Sequence, residues 1–312
     1  MVMKAALTPL LRWFDASVPQ EGQSDDRRID WLRAVPFIGM HVACLAVIWV
    51  GWSPFAVAVG VALYAVRLFA ITGFYHRYFS HRSFKTSRAT QAVFAVIGAA
   101  SVQRGPLWWA AHHRQHHNRA DRSGDAHSPH RDGFLWSHVG WFLSRANFVL
   151  HGERVRDLMK YPELRFLDRF DVLVPALLAT GLFATGAALE RWVPGLGVDG
   201  GQLLVWGFVV STVALYHATF TINSLAHRFG KRRYATRDQS RNNFWLALLT
   251  FGEGWHNNHH YFPSSARQGF YWWEIDITWY GLKLLEGLGI VWDLRDIPRT
   301  RREAGHLPEY AA

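Results

Sequence analysis

Four apolar runs constrain this chain more than any other feature. Residues 34–52 are 19 positions with no charged side chain, residues 55–75 are 21 with one charge at Arg67, residues 172–189 are 18 with none, and residues 203–222 are 20 with none. A helix of about 20 apolar residues crosses the hydrocarbon of a bilayer. The runs fall in two close pairs, so they read as two transmembrane hairpins. Four core helices of a large soluble protein would be the competing reading, but soluble core helices rarely run this long without a charge. The expected fold class is therefore an all-α integral membrane protein, four transmembrane helices in two hairpins with a helical cap on one side.

The basic residues orient that arrangement. Lys and Arg number five in residues 1–33, none in the tip 51–55, 15 in 76–169, one in the tip 191–200 and 12 from residue 227 onward, with Arg67 completing the 34. Short loops poor in Lys and Arg face outward and basic segments stay inside, so both termini and the long middle segment are expected to be cytoplasmic. This topology, with attraction to anionic headgroups, accounts for the net charge of +10. No basic run has the motif context that nucleic-acid binding requires, and no nucleic-acid partner is expected.

One cysteine, Cys44, excludes a disulfide framework or a thiolate metal site within the chain. Residues 1–17 are too charged for a cleavable signal peptide. Residues 1–33 read as an interfacial N-terminal segment, residues 296–312 as a polar tail, and the whole of 1–312 as a single domain, since no linker or low-complexity stretch divides it.

Seventeen histidines are not scattered. They cluster after the apolar runs: HRYFSH at 76–81, HHRQHH at 112–117, a single His227 in NSLAH, and HNNHH at 256–260. Residues i, i+3 and i+4 share one helix face. His113, His116 and His117 fit that spacing, as do His256, His259 and His260, and Asn223 with His227 are i, i+4. His76 and His81 are five apart, roughly 140° around a regular helix. Either the helix breaks between them or they serve two different metals. His41, His151, His217 and His306 read as ordinary hydrogen-bonded residues.

Nine imidazoles gathered at one face would be costly to crowd and desolvate without a common partner, which implies a multinuclear metal site. Imidazole suits iron, copper, zinc or nickel. A zinc site takes only three or four ligands, whereas nine suit two ions. Two histidine-bound irons at a membrane surface point to oxygen chemistry on a lipid-like substrate. A haem or metal-transport protein would instead place paired histidines inside the spans, where only His41 and His217 lie.

The boxes HRYFSH, HRQHH and HNNHH, with SHVGW at 137–141, NSLAH at 223–227 and SRNNFWLALLTFGEGWHNNHH at 240–260, resemble the membrane fatty-acyl desaturases, specifically their delta-9 acyl-CoA (stearoyl-CoA) branch. The resemblance covers roughly residues 35–295. It implies two irons held by His76, His81, His113, His116, His117, His227, His256, His259 and His260, with Asn223 linked through a water. His112 falls outside that set. The implied reaction uses dioxygen and two external electrons to turn adjacent methylenes of a long-chain acyl group into a cis alkene. Glu253, Asp121 and Asp125 are candidates for orienting the imidazoles from outside the metal shell.

By the same resemblance, Gln103, Trp109 and Thr219 line the bend of an acyl tunnel, and Tyr64 and Leu68 close its end. Leu68 is larger than the residue expected there and should favour palmitoyl chains. Arg104 and Arg145 are candidates for the phosphates of an acyl-CoA; an acyl-lipid substrate is the alternative, since parts of the sequence also look like bacterial and plastid-type members. A related di-iron fatty-acyl hydroxylase would keep the same boxes. The electron source is expected outside the chain: a ferredoxin, a rubredoxin, or cytochrome b5 with a reductase. Snorkelling is the plain expectation for Arg67.

Overall fold

The computed structural model describes residues 11–18 and 27–308. Its main helices, in chain order, are α1 (Trp31–Val50), α2 (Pro54–Ser80), α3 (Arg88–Ala99), α4 (Pro106–Arg119), α5 (Pro162–Arg169), α6 (Leu173–Trp192), α7 (Gly200–His227), α8 (Phe244–Leu249), α9 (His256–Tyr261) and α10 (Ile277–Gly287). Among the described residues, α1, α2, α6 and α7 are the four long and apolar enough to cross a membrane. The only ladder among them joins β1 (Lys85–Thr86) and β2 (Val291–Trp292) antiparallel, with Lys85 opposite Trp292.

The first hairpin is written in its turn. Gly51 adopts a positive φ of 66° and ends α1. Ser53 then accepts the N–H of Ala56 at 3.2 Å, and Pro54 occupies the first turn of α2. In the second hairpin Asp199 caps α7 by accepting the N–H of Gln202 at 2.8 Å.

The two inner helices are α2 and α7; α1 and α6 lie outside them and bury little of their surface. Trp49 and Ile48 on α1 are 78% and 72% exposed, which water would penalise and lipid tails do not. A Cβ at Gly60 would come within 2.8 Å of the Trp206 carbonyl, so glycine sets how closely α2 and α7 approach. Arg67 does not snorkel. It is buried between these helices, donating to Ser211 Oγ, to Thr212 Oγ1 at 2.7 Å and to the Ala100 carbonyl at 3.3 Å. Three acceptors inside the bundle replace the water its head group would otherwise seek.

Helices α2 and α7 run beyond their apolar stretches, to Ser80 and His227. The last 11 residues of α2, Ala70–Ser80, form a π-helix, and all of them are buried. The cap formed by α3–α5 and α8–α10 packs around this extension, with Phe74 stacked on Phe94 at 3.6 Å and Leu107, Leu158, Leu164 and Leu282 buried in the same core.

Candidate metal centre and acyl cavity

Nine imidazoles converge at the membrane-cap junction in two groups. His76, His81, His113, His117 and His259 form one; His116, His227, His256 and His260 form the other. Within each group the ligand atoms lie within 4.8 Å of one another. Helix α4 thus splits its histidines, His113 and His117 to one side and His116 to the other, and α9 does the same with His259 against His256 and His260.

His76 and His81 fall in one group, because the segment that carries them is not wound as a regular α-helix. The π-helix closes its bonds from i to i+5: His81 N–H donates to the His76 carbonyl at 3.2 Å. Residue i+5 therefore returns nearly over residue i, and the two rings lie 4.9 Å apart.

The Nε2 atoms face one another. His76 and His117 place theirs 3.0 and 2.8 Å from His259 Nε2, His81 and His113 are paired at 2.8 Å, and His227 and His256 at 3.1 Å. Carboxylates fix several tautomers from behind: His76 Nδ1 meets Glu253 at 2.5 Å, His227 Nδ1 meets Asp121 at 2.9 Å, His116 Nδ1 meets Asp125 at 3.1 Å and His260 Nδ1 meets Asp238 at 3.0 Å. A neutral ring that donates from Nδ1 offers only a lone pair at Nε2. His260 Nε2 is accordingly buried with no hydrogen-bond partner. Crowded lone pairs repel unless a cation lies between them. Ligands at about 2.1 Å and right angles around one ion would be about 3.0 Å apart, which matches the spacings here. The residues fit two metal ions.

Burial favours the neutral form that ligation needs at six of the nine rings, while at His116 burial is outweighed by the facing Asp125, which raises the pKa. Burial pulls the pKa values of His81, His113, His117, His256 and His259 well below the usual imidazole range, and that of His260 down to about 4, with Asp238 opposing the shift. At Asp125 and Asp238 burial favours the protonated acid, but the facing histidines outweigh it and hold both carboxyls below their ordinary values.

The residues between the histidines explain the boxes. Asn257 Oδ1 accepts the N–H groups of Arg233 and Tyr234 at 2.8 and 2.7 Å, and Asn242 Oδ1 accepts those of Asn257 and Asn258 at 3.0 and 3.1 Å. This fixes a six-residue helix that could not stand alone. Arg77 donates to both oxygens of Asp276 at 3.0 and 2.9 Å and to Glu253 at 3.2 Å, tying α2 to the cap of α10 and to the carboxylate behind His76.

A cavity of about 410 Å³ leads to this centre. Its wall includes Arg12, Arg33 and Arg104 as well as Gln103, Trp109, His113, Thr219 and Asn223. A second space of about 50 Å³ continues past Trp109, His113, Thr219 and Asn223 to Leu68, Ile71 and Thr72. Gln103 Nε2 donates to Thr219 Oγ1 at 3.1 Å where the two meet. Asn223 lines both spaces, and in the smaller one His116 and His256 line it too.

Other expected residues are placed differently. Tyr64 is not among the residues lining either space; its hydroxyl donates to the Leu249 carbonyl at 2.8 Å on the α2 surface. Arg145 also lines neither, and its backbone N–H meets the Arg28 carbonyl at 3.0 Å. Arg104 lines the cavity but is paired with Asp171 at 2.7 Å, as Arg12 is with Asp30 at 2.7 Å. His112 stays outside both histidine groups, 3.3 Å from the Val149 carbonyl. Sequence reasoning missed Asp238, although it lies in a basic segment between His227 and the last box, much as Asp121 and Asp125 lie after the second. It also missed His127, a buried wall residue stacked on His116 at 4.3 Å.

Four apolar helices of spanning length and two converging histidine groups that could each hold a metal ion, beside a largely apolar cavity, are the features of a membrane protein with a metal-binding site. Residues 29–286 match the model of the fatty acid desaturase family. The chain is 41% identical to an acyl-CoA 5-desaturase of Anemone leveillei over 82% of this chain and 77% of that one. It is 39% identical to a chloroplastic palmitoyl-monogalactosyldiacylglycerol delta-7 desaturase of Arabidopsis thaliana, over 86% and 70%. It is 36% identical to an sn-1 stearoyl-lipid 9-desaturase of Anabaena variabilis, over 86% and 94%. This chain belongs to the fatty acid desaturase family, and is an oxidoreductase.

Proposed function

We propose that the protein is a delta-9 desaturase of long-chain saturated acyl-CoA, with two irons held by the nine histidines and Asn223 joined through a water. The observation that supports this reading is a cavity with arginines in its wall that shares Trp109, His113, Thr219 and Asn223 with a smaller space lined by residues of both histidine groups and by Leu68. Bound iron would supply the activation of dioxygen by two external electrons. The protein's own contribution is position and exclusion of water. Gln103, Trp109 and Thr219 grip the chain where the two spaces meet, so one pair of methylenes faces the histidines. Asp121, Asp125, Asp238 and Glu253 hold imidazole protons at Nδ1 and keep the Nε2 atoms free. Arg104, with Arg12 and Arg33, binds the polar head of the substrate. Dioxygen, two electrons, two protons and a –CH2–CH2– unit give –CH=CH– and two waters. Termini and site lie on the cytoplasmic side in this reading, and residues 1–312 act as one domain.

A glycerolipid substrate is a second reading, favoured by the pairing of Arg12 and Arg104 with Asp30 and Asp171, which leaves less charge for a polyphosphate, and by the stearoyl-lipid 9-desaturase relative. Deuterated stearate and palmitate fed to cells expressing the chain, with His259→Ala as control, decide the matter. A cis-9 alkene appearing first in acyl thioesters supports the acyl-CoA reading; first appearance in intact lipids moves the substrate to acyl-lipid. An alkene at carbon 5 or 7 overturns delta-9, and a hydroxylated chain without alkene overturns desaturation.

A further inference from the structure

Residues 11–17 form a strap across one side of the larger cavity. Its first four residues, Leu11 to Phe14, make a single helical turn, closed by Asp15 N–H donating to the Leu11 carbonyl at 2.8 Å. One end of the strap is held to the start of α1: Arg12 donates to Asp30 at 2.7 Å, and Trp13 Nε1 donates to the Leu32 carbonyl at 2.7 Å. The other end is held to the end of α5: Arg169 donates to Asp15 Oδ2 at 2.9 and 2.6 Å, and Ala16 N–H donates to the Arg169 carbonyl at 2.8 Å. Helix α6 begins four residues after Arg169, so the strap bridges the cap-side ends of α1 and α6. Arg12, Trp13 and Phe14 line the cavity, as do Pro36 of α1 and Val172 just before α6. Phe14 is 58% exposed and Pro36 is exposed too, whereas Trp108, His112, Trp141 and Tyr216 elsewhere in the wall are buried. At the strap, one layer of side chains separates the cavity from the outside.

We propose that this strap is the gate through which the acyl group loads and leaves: it swings away at its Arg169 end and closes again over the bound substrate. The proposal rests on the desaturase reading. Substrate and product differ by two hydrogens and carry the same head, so the product needs an opening as large as the one that admitted the substrate. A cavity closed during the reaction keeps water from the reacting methylenes, and one that stayed closed would not turn over again. The α5 anchor is the one that gives. The Arg169 side chain is 53% exposed against 19% for Arg12, and exposed ion pairs contribute little. The α1 anchor, where Arg12 meets the buried Asp30, serves as the hinge. The outer side of the strap suits the open position as well. Leu11, Trp13 and Phe14 are exposed apolar side chains beside the ends of two spanning helices, where the interfacial layer of the bilayer receives such groups.

The test uses full-length protein carrying Cys44→Ser, so that the Asp15→Cys/Arg169→Cys pair holds its only thiols. A short bis-methanethiosulfonate reagent joins the pair, and a reductant separates it. Exchange of tritiated stearoyl-CoA, and of tritiated distearoyl-phosphatidylglycerol in mixed micelles, is timed on metal-free protein. The proposal expects joining to slow exchange of whichever probe the wild type binds by about ten-fold or more, and reductant to restore the rate. Asp15→Asn and Arg169→Gln, which remove the ion pair, should release that probe about two- to five-fold faster than wild type. Iron-loaded protein that is filled with substrate before joining should form about one alkene per chain and then stop, with electrons supplied by dithionite and a small mediator. Joined protein that exchanges the probe at the unjoined rate overturns the proposal. So does slow exchange that persists after reduction, or binding of neither probe by the wild type. If the wild type exchanges a probe yet forms no alkene with mediator-supplied electrons, the desaturase reading fails, and the gate is still decided by the exchange rates.

Discussion

Asp168 Oδ1 accepts the backbone N–H of Trp108 at 2.8 Å, and that of Leu107 at 3.0 Å. A carboxylate on α5 thereby caps α4, the helix that presents His113, His116 and His117. The cap position itself is Gly105, where a Cβ would fall 2.3 Å from Asp168 Oδ1. Loss of a helix cap costs about 1–2 kcal/mol, and here the frayed turn leads directly into the ligand residues. Asp168→Ala and Gly105→Ala should both lower the melting temperature in detergent and reduce iron per chain. Full iron content with unchanged melting in both would show that α4 does not depend on this cap.

The same carboxyl gives a pH signature. Burial pushes Asp168 up to about 6, against the N–H of Trp108 and the charge of Arg104, which pull it down. A pKa raised in the folded state means that folding favours the protonated acid. Stability from this group is therefore highest below its unfolded value, near pH 4, and falls as pH rises toward 6, by up to about 3 kcal/mol. Asp168→Asn removes the titration while keeping an acceptor. On acidification from pH 7 to pH 4, the wild type should gain stability relative to Asp168→Asn, measured as the difference in melting temperature. Parallel pH profiles would contradict the shift.

The spans and the histidine boxes were legible because each is a local signal: an uncharged run of membrane length, or an i, i+3, i+4 spacing on one turn. Their partition was not. Whether His76 and His81 meet depends on how wide α2 is wound, and a single strand of sequence read at 3.6 residues per turn assumes the answer. Asp168 and Asp238 escaped for a related reason. Their partners, Trp108 and His260, are 60 and 22 residues away, so only the packing of the cap reveals what they do. From sequence alone Arg67 looks like a snorkelling residue, because its acceptors, Ser211 and Thr212, look like ordinary polar residues of another span until α2 and α7 are brought together.

Each carboxylate behind an imidazole can be removed with little change of shape. Asp238→Asn, Asp121→Asn and Glu253→Gln should retain the fold and weaken metal retention by about 10–100-fold relative to wild type. Asp238 and Asp121 face the four-histidine group and Glu253 the five-histidine group. Asp238→Asn and Asp121→Asn should therefore lose about one iron of two before the other under a chelator, and Glu253→Gln should lose the opposite one. Metal content followed by time-resolved chelation, with circular dichroism as the fold control, measures this. Loss of both irons at one rate in all three variants would show that the two groups do not hold metal independently.

The small space lined by Leu68 separates two residues that the sequence paired. Leu68 is buried and lines the small space beyond Trp109 and Thr219, whereas Tyr64, one turn earlier on α2, lines neither space. In the proposed reading, a chain held with its reacting methylenes at the histidines fits its remaining carbons against Leu68. Shortening that side chain lengthens the space by roughly the three carbons removed, and each methylene newly buried contributes about 0.8 kcal/mol. Leu68→Ala should accordingly raise the ratio of 18-carbon to 16-carbon alkene severalfold in competition between stearoyl and palmitoyl substrates, while Tyr64→Ala should leave the ratio close to wild type. Product analysis of both variants with mixed substrates decides it. A change with Tyr64→Ala and none with Leu68→Ala would put the end of the path at Tyr64 and outside the space bounded by Leu68.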